Sequence, residues 1–90
     1  MKSYTVKIQK SAQKAIDKLD SPIKKRIIDW LNNNIEGCDN PRKFGSALQG
    51  NLSGKWRYRI GKYRIVTEIN DDEVIVLVVD IDKRNDIYKK

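Results

Sequence analysis

The chain of 90 residues has no histidine and a single cysteine, Cys38. One cysteine cannot form a disulfide within the chain, and the lack of histidine removes both the commonest zinc ligand and the usual proton-transfer side chain. No apolar run approaches the ~20 residues of a membrane span, and the first ten residues lack the apolar stretch of a secretory signal. We therefore expect a cytoplasmic protein with no membrane span, no metal, no cofactor and no histidine-based catalysis.

Acidic residues are the minority among the charged ones. The chain has 12 Asp and Glu against 19 Lys and Arg, which gives a net charge of +7 and a pI near 9.6. Such an excess favours polyanionic partners, namely nucleic acid, an acidic membrane surface or an acidic protein. Hydrophobic residues still make up 39% of the chain, so we expect a folded core rather than a disordered basic tail. The length fits one domain over residues 1–90.

Hydrophobic periodicity predicts a strand and two helices in the first part of the chain. Alternation from Tyr4 to Ile8 is typical of a half-buried strand. Apolar residues at three- and four-residue steps predict a helix from a capping Ser11 to Leu19, and a second from Ser21 to Ile35. The stretch from Gly37 to Gly54 is rich in turn residues and predicts a loop with one helical turn at most.

The second part of the chain predicts three consecutive strands. They cover Lys55 to Ile60, Tyr63 to Ile69 and Glu73 to Ile81, with a two-residue turn at Gly61-Lys62 and a second turn at residues 70–72. The element order is therefore β-α-α-β-β-β. We predict an α+β fold in which the two amino-terminal helices pack on one face of an antiparallel sheet.

Strand alternation gathers three arginines on one side of this sheet. If Gly61-Lys62 forms a tight turn, Arg59 lies directly opposite Arg64, and Arg57 lies on the same face. Like charges set opposite each other destabilise a strand pair by up to about 1 kcal/mol, so this pairing favours an anionic ligand. The alternative is a solvated face without a ligand, in which Glu68 neutralises part of the charge.

The chain closes with a polar stretch that contains Lys83, Arg84 and Tyr88. Spacing alone leaves two interpretations open: a solubilising terminus with Tyr88 sealing the core, or part of a site. The cations of the second helix, Lys24, Lys25 and Arg26, are ordinarily a solvated face, with contact to ribosomal RNA as the alternative.

In this order and length, the residues resemble the RelE/ParE superfamily of bacterial toxin–antitoxin toxins, and specifically its RelE-type, ribosome-dependent messenger-RNA interferases. The resemblance covers nearly the whole chain, from the first strand and the helical hairpin onward. Its later motifs are Leu48 to Gly50, Leu52, Trp56-Arg57-Tyr58-Arg59, Tyr63-Arg64-Ile65-Val66, Val74 to Val79, Lys83-Arg84 and Ile87-Tyr88.

The resemblance implies a metal-independent endoribonuclease that cuts messenger RNA in the ribosomal A site. In this reaction a ribose 2′-hydroxyl attacks the adjacent phosphate and the 5′-oxygen departs. Arginine has a pKa above 12 and transfers protons poorly, so the arginines are assigned to phosphate binding, Tyr88 to accepting a proton and Lys83 to donating one. The implied catalytic residues are Arg57, Arg59, Arg64, Lys83, Arg84 and Tyr88, and the implied RNA-binding residues are Lys55, Lys62, Lys24, Lys25 and Arg26.

The implied partners are a cognate antitoxin, the ribosome with its RNA, and messenger RNA. A toxin–antitoxin hetero-oligomer could in turn bind operator DNA. Two other functions stay open at this point. One is a ParE-like toxin that poisons DNA gyrase; the other is a noncatalytic RNA-binding module or inactive toxin, since histidine is missing and arginine stands at positions 57 and 59, where some relatives have lysine.

Overall fold

The computed structural model describes residues 3–48 and 54–83, and in these ranges the helices and strands follow the predicted order closely. The element that the sequence did not predict is a two-residue strand before the three consecutive strands. The elements are β1 (Thr5–Ile8), α1 (Lys10–Asp17), α2 (Ser21–Asn34), a 3-10 turn (Pro41–Lys43), β2 (Ser46–Ala47), β3 (Trp56–Ile60), β4 (Tyr63–Asn70) and β5 (Ile75–Lys83).

The five strands form one sheet in the order β1-β5-β4-β3-β2. Strands β2 to β5 are antiparallel, as predicted, whereas β1 pairs with β5 in the parallel direction, with Val6 opposite Val76. The α+β class is confirmed, but the expectation of a wholly antiparallel sheet was wrong for β1. Alternation identifies a strand and its buried side, but it does not identify the partner strand or the direction of pairing.

The helices pack on one face of the sheet, which we call the helix face. Ala12 of α1 joins Ile27, Leu31 and Ile35, from α2 and its carboxyl end, in a single apolar core. The sheet contributes buried residues at alternate positions, as a half-buried sheet requires. These are Tyr58, Ile60, Ile65, Val76 and Val78.

The helix starts differ slightly from the prediction. Helix α1 begins at Lys10, so Ser11 lies inside it instead of capping it, and Ser11 Oγ accepts a hydrogen bond of 3.0 Å from Gln9 Nε2. Helix α2 begins at Ser21 with Pro22 in its first turn, where the missing amide hydrogen costs nothing. None of the described helices is long and apolar enough to cross a membrane.

The loop before β3 is tied closely to the sheet. Gly45 has a φ of 78°, and a Cβ atom placed on it would collide with the carbonyl oxygen of Arg57. Only glycine combines this left-handed conformation with so close an approach of two backbones. The contact lets Ser46 pair with Arg57, so β2 forms the edge of the sheet beside β3.

A β-bulge in β5 changes which side of the sheet its last residues occupy. Val78 pairs with Thr67 and Asp80 pairs with Val66, so Val79 is an extra residue between two neighbouring pairs. In a regular strand, residues 78, 80 and 82 would share a face. The extra residue shifts the alternation, as bulges do, and moves Asp80 and Asp82 to the face opposite the helices.

Candidate anion-binding site

Three arginines lie together on the sheet face opposite the helices, which we call the arginine face. Arg59 pairs directly with Arg64, and Arg57 pairs with Val66 two positions along the same two strands. The register is set by the two-residue turn, in which Gly61 has a φ of 60°, as a tight hairpin with glycine first requires. This arrangement confirms the predicted register.

The three guanidinium groups differ in their partners. Arg57 Nη2 donates a hydrogen bond of 2.8 Å to Ser46 Oγ, and Arg64 Nη2 donates one of 2.9 Å to Asp82 Oδ2. Within residues 3–48 and 54–83, Arg64 Nε is buried without a hydrogen-bond partner, and the exposed side chain of Arg59 has neither a hydrogen bond nor an ion pair. Arg59 is therefore the cation of this set most available to a ligand.

Carboxylates share the arginine face with these cations. The sequence suggested Glu68 as the group that could neutralise this face, but Glu68 forms an ion pair of 3.0 Å with Lys55. The carboxylate beside Arg64 is Asp82, its direct partner in the strand register. Sequence reasoning missed Asp82. The alternation of apolar residues changes phase between Val78 and Ile81, and this change was a signal of the bulge that places Asp82 beside Arg64.

The charges on the arginine face are graded across the strands. Cations stand on β3, Arg64 stands on β4, and Asp80 and Asp82 stand on β5. Asp82 offsets some of the repulsion between Arg59 and Arg64, which costs up to about 1 kcal/mol for such a pair. The face therefore has positive and negative groups side by side, an arrangement suited to both binding an anion and accepting a proton.

The remaining implied catalytic residues come at the end of β5. Lys83 pairs with Tyr63, one position beyond the Arg64–Asp82 pair, so its place in the register belongs to the helix face. Arg84 and Tyr88 lie outside the described residues. Their predicted roles therefore rest on the resemblance alone.

The helix cations predicted to bind RNA fall into two groups. Lys24 pairs with Asp17 at 2.9 Å, and Lys25 pairs with Asp29 at 3.0 Å. The hydrogen bond from Lys24 holds the pKa of the Asp17 carboxyl below its ordinary value. Such exposed pairs are screened by solvent and contribute little to stability, so they leave both lysines free to exchange partners.

Arg26 and Lys62 are exposed cations that flank a groove between α2 and the β3–β4 turn. Neither side chain has an ion pair with any residue that the structure describes. The groove has a volume of about 470 Å³ and an apolar floor. Its other lining residues are Ile23, Ile27, Ile60, Gly61 and Tyr63.

Two other titratable groups lie away from the arginine face, Tyr58 buried and Cys38 partly buried. Burial raises the pKa of the Cys38 thiol, which opposes formation of a reactive thiolate. Burial also raises the pKa of Tyr58, whose hydroxyl donates a hydrogen bond of 2.6 Å to the carbonyl oxygen of Pro41. In the described part of the chain, no three Cys, Asp or Glu side chains gather as metal ligands.

Comparison with known proteins gives the family. Residues 6–88 match a family described as the ParE toxin of the type II toxin–antitoxin system parDE. The chain belongs to the RelE/ParE superfamily of toxins. It is thus a type II toxin–antitoxin toxin by family, and the α+β fold is the fold of that family.

Individual RelE/ParE relatives are similar over almost their full length. The chain is 28% identical to toxin RelG of Mycobacterium tuberculosis over 97% of this chain and 98% of the relative. It is 32% identical to a putative RelE-like toxin protein of Escherichia coli over 94% and 90% of the two chains.

Solved structures in this superfamily have the same architecture. The toxin–antitoxin complex RelBE2 of Mycobacterium tuberculosis matches with a TM-score of 0.80 and 26% identity, over 93% of this chain and 94% of that one. Isolated Escherichia coli RelE shares the fold, with a TM-score of 0.70 at 21% identity over 91% and 85% of the chains.

Proposed function

We propose that this toxin is a RelE-type endoribonuclease that cleaves messenger RNA in the ribosomal A site. The observation that carries the proposal is the row of arginines on one sheet face, with Arg59 unpaired among the described residues and directly opposite Arg64. Folding alone does not favour this juxtaposition, because like charges opposite each other destabilise the strand pair. A phosphate between the two guanidinium groups would reverse the sign of that interaction.

In the proposed reaction the arginines bind the scissile phosphate. Guanidinium groups offer planar pairs of N–H donors that match phosphate oxygens. They stay charged throughout, so they stabilise the extra negative charge of the phosphorane without transferring protons. The chemistry needs no metal, since attack of the 2′-hydroxyl on the adjacent phosphate requires only a proton acceptor, a proton donor and this charge stabilisation.

The lack of histidine supports ribosome dependence, because it leaves the chain with few side chains suited to proton transfer. Without histidine, the protein gains most from a substrate whose 2′-hydroxyl is already held in line with the scissile bond. We propose that the ribosome provides this orientation. Arg26 and Lys62, which have no ion pair in the described part of the chain, then contact ribosomal RNA, whose phosphates favour any exposed cation.

We also propose a cognate antitoxin as the inhibitory partner. The RelBE2 relative was solved as a toxin–antitoxin complex, and the net charge of +7 on this chain fits an antitoxin with acidic segments. Such a hetero-oligomer would be the species that binds operator DNA.

In vitro translation followed by primer extension on the message tests the proposed activity. We expect cuts at defined codon positions with the wild-type protein. We expect Arg59→Ala to lower the cleavage rate by about 10²-fold, the usual effect of removing one group that stabilises transition-state charge. Lys7→Ala is the matched control, because Lys7 is an exposed cation on the same sheet face but on the far edge strand β1.

The family description as a ParE toxin makes gyrase poisoning the second candidate. A supercoiling assay with DNA gyrase distinguishes the two functions. Gyrase-dependent DNA breaks without message cleavage would replace the proposed activity with the ParE-like one. Ribosome binding without cleavage of either nucleic acid would indicate a noncatalytic RNA-binding protein.

A further inference from the structure

Three charged side chains form a continuous row across the arginine face. Arg59 of β3 stands opposite Arg64 of β4, which in turn stands opposite Asp82 of β5. The Arg64–Asp82 hydrogen bond of 2.9 Å engages Oδ2 of the carboxylate. Oδ1 of Asp82 has no hydrogen bond to any described residue, and the Asp82 side chain is 51% exposed. A carboxylate oxygen is thus open to solvent beside the guanidinium groups.

Asp82 differs in this respect from the other acids of the face. Asp80 Oδ1 accepts a hydrogen bond of 2.8 Å from the backbone N–H of Ile81, so this carboxylate is turned onto its own strand. Glu68 lies on the same face but forms its ion pair with Lys55, four positions along β4 from Arg64. Among the described residues, Asp82 is therefore the carboxylate that combines an open oxygen with contact to the arginine row.

The position of Asp82 depends on the β-bulge at Val79. If Val79 paired regularly with Val66, the register would continue from the Thr67–Val78 pair and place Ile81, not Asp82, opposite Arg64. Bulges often serve to redirect a side chain next to a functional site. The backbone irregularity thus has a chemical result, since it delivers a carboxylate to the arginine row.

We propose that Asp82 is the proton acceptor of the cleavage reaction, an inference that rests on the proposed function. Oδ1 takes the proton of the attacking ribose 2′-hydroxyl while the 2′-oxygen forms its bond to phosphorus. The bond from phosphorus to the 5′-oxygen then breaks, and the 5′-oxygen takes a proton from water. Asp82 returns its proton to solvent, and the products are a 2′,3′-cyclic phosphate and a 5′-hydroxyl.

Asp82 has suitable neighbours for this role. An ionised carboxylate is purely an acceptor of hydrogen bonds, so an open oxygen can bind a hydroxyl directly. The adjacent Arg64, 21% exposed, presents its guanidinium to the same substrate, so the attacking oxygen and the phosphate are held by neighbouring groups. Proton acceptor and phosphate ligand are therefore joined by one hydrogen bond, which fixes their relative positions.

The test compares two carboxyl-to-amide variants in single-turnover cleavage on programmed ribosomes. Asp82→Asn should lower the cleavage rate by about 10²–10⁴-fold, the range for loss of a general base, with ribosome binding equal to or tighter than that of the wild type. Asp80→Asn removes the same charge two residues away and should stay within about threefold of the wild type. Asp82→Glu, which keeps a carboxylate, should recover part of the rate.

The pH dependence separates a carboxylate acceptor from a phenol such as that of Tyr88. Aspartates ordinarily titrate near 4 and tyrosines near 10, so a phenol acceptor gives a rate that rises about tenfold per pH unit between pH 6 and 8, whereas a carboxylate gives a nearly level rate. The charged groups facing Asp82 on this surface are Arg64 and, one strand further, Arg59, with Asp80 on its own strand.

Two outcomes overturn the inference in distinguishable ways. If the wild type cleaves and Asp82→Asn cleaves as fast or faster, Asp82 merely restrains Arg64, and the endoribonuclease proposal survives. If the wild type cuts no message on ribosomes, the endoribonuclease proposal fails and the role of Asp82 fails with it.

Discussion

The hydroxyl of Tyr4 donates a hydrogen bond of 2.6 Å to Oδ1 of Asp71, a residue 67 positions later in the chain. Arg42 binds the same carboxylate through both terminal nitrogens, at 3.0 and 3.1 Å. Asp71 therefore connects the residue before β1, the 3-10 turn and the β4–β5 turn. This connection lies at the opposite end of β4 from Arg64, so it stabilises the sheet without taking part in the candidate site.

We expect Asp71→Ala to lower the urea midpoint of unfolding without altering the slope. Tyr4→Phe should lower it less, since the bidentate contact of Arg42 with Asp71 remains. If the contacts act together, the double variant Tyr4→Phe/Asp71→Ala should be no less stable than Asp71→Ala alone. If the double variant instead loses the sum of the two single losses in urea midpoint, the two substitutions act independently, which would contradict a shared contact.

Alkaline pH should destabilise the protein through its buried tyrosine. Burial raises the pKa of Tyr58 above the ordinary value of 10, so the unfolded chain loses this proton at lower pH than the folded one. The stabilisation is complete below about pH 10 and declines as pH rises further. Urea unfolding at pH 8, 10 and 11 measures the decline. The decline in stability with pH should be shallower in Tyr58→Phe. This variant should also lose about 1–3 kcal/mol of unfolding free energy at pH 8, because the Pro41 carbonyl is left unpaired.

Two glycines with left-handed backbones should respond differently to alanine. Gly45 and Gly54 have φ values of 78° and 94°; a Cβ at Gly54 meets no described residue, whereas one at Gly45 meets the Arg57 backbone. Gly54→Ala should cost about 1–2 kcal/mol, the cost of the left-handed conformation. Gly45→Ala should cost about 1–3 kcal/mol more, as overpacking does. Thermal unfolding of the pair checks this, and equal losses would contradict the close approach of β2 to β3.

The salt dependence of RNA binding should reveal the phosphate contact of Arg59. Each phosphate contact to a single strand contributes roughly 0.7 to the slope of log K against log salt. We expect Arg59→Ala to reduce this slope by about that amount, and Arg59→Lys to leave it unchanged because the charge remains. Fluorescence titrations with a short RNA at several salt concentrations measure it. A slope that does not change in Arg59→Ala would place the phosphate elsewhere.

The sequence predicts the β3–β4 hairpin in full, because its information is local. Alternation separates Tyr58 from Arg57 and Arg59, and Gly61 fixes the turn, so the Arg59–Arg64 pair follows without any knowledge of the rest of the chain. The helices are predicted equally well, apart from the first turn of α1. Periodicity is enough to predict a helix or strand wherever the element has one buried side and ends at a defined turn.

Periodicity does not predict long-range strand pairing, very short strands or bulges. The parallel pairing of β1 with β5 joins strands about 70 positions apart, and no periodicity encodes it. Strand β2 has only two residues, too few for any pattern. The Arg64–Asp82 pair depends on the extra residue Val79, so a regular register would have assigned Asp82 to the buried side.

The bulge at Val79 also makes this surface tolerant of a change in chain length. Deleting Val79 would remove the extra residue and leave a regular strand, in which Val78 still pairs with Thr67, Asp80 with Val66 and Asp82 with Arg64. No later position of β5 would change its face, so the acidic neighbour of Arg64 would remain. Among diverging copies of such a gene, the loss of a single codon at this point would therefore spare the carboxylate and both faces of the sheet.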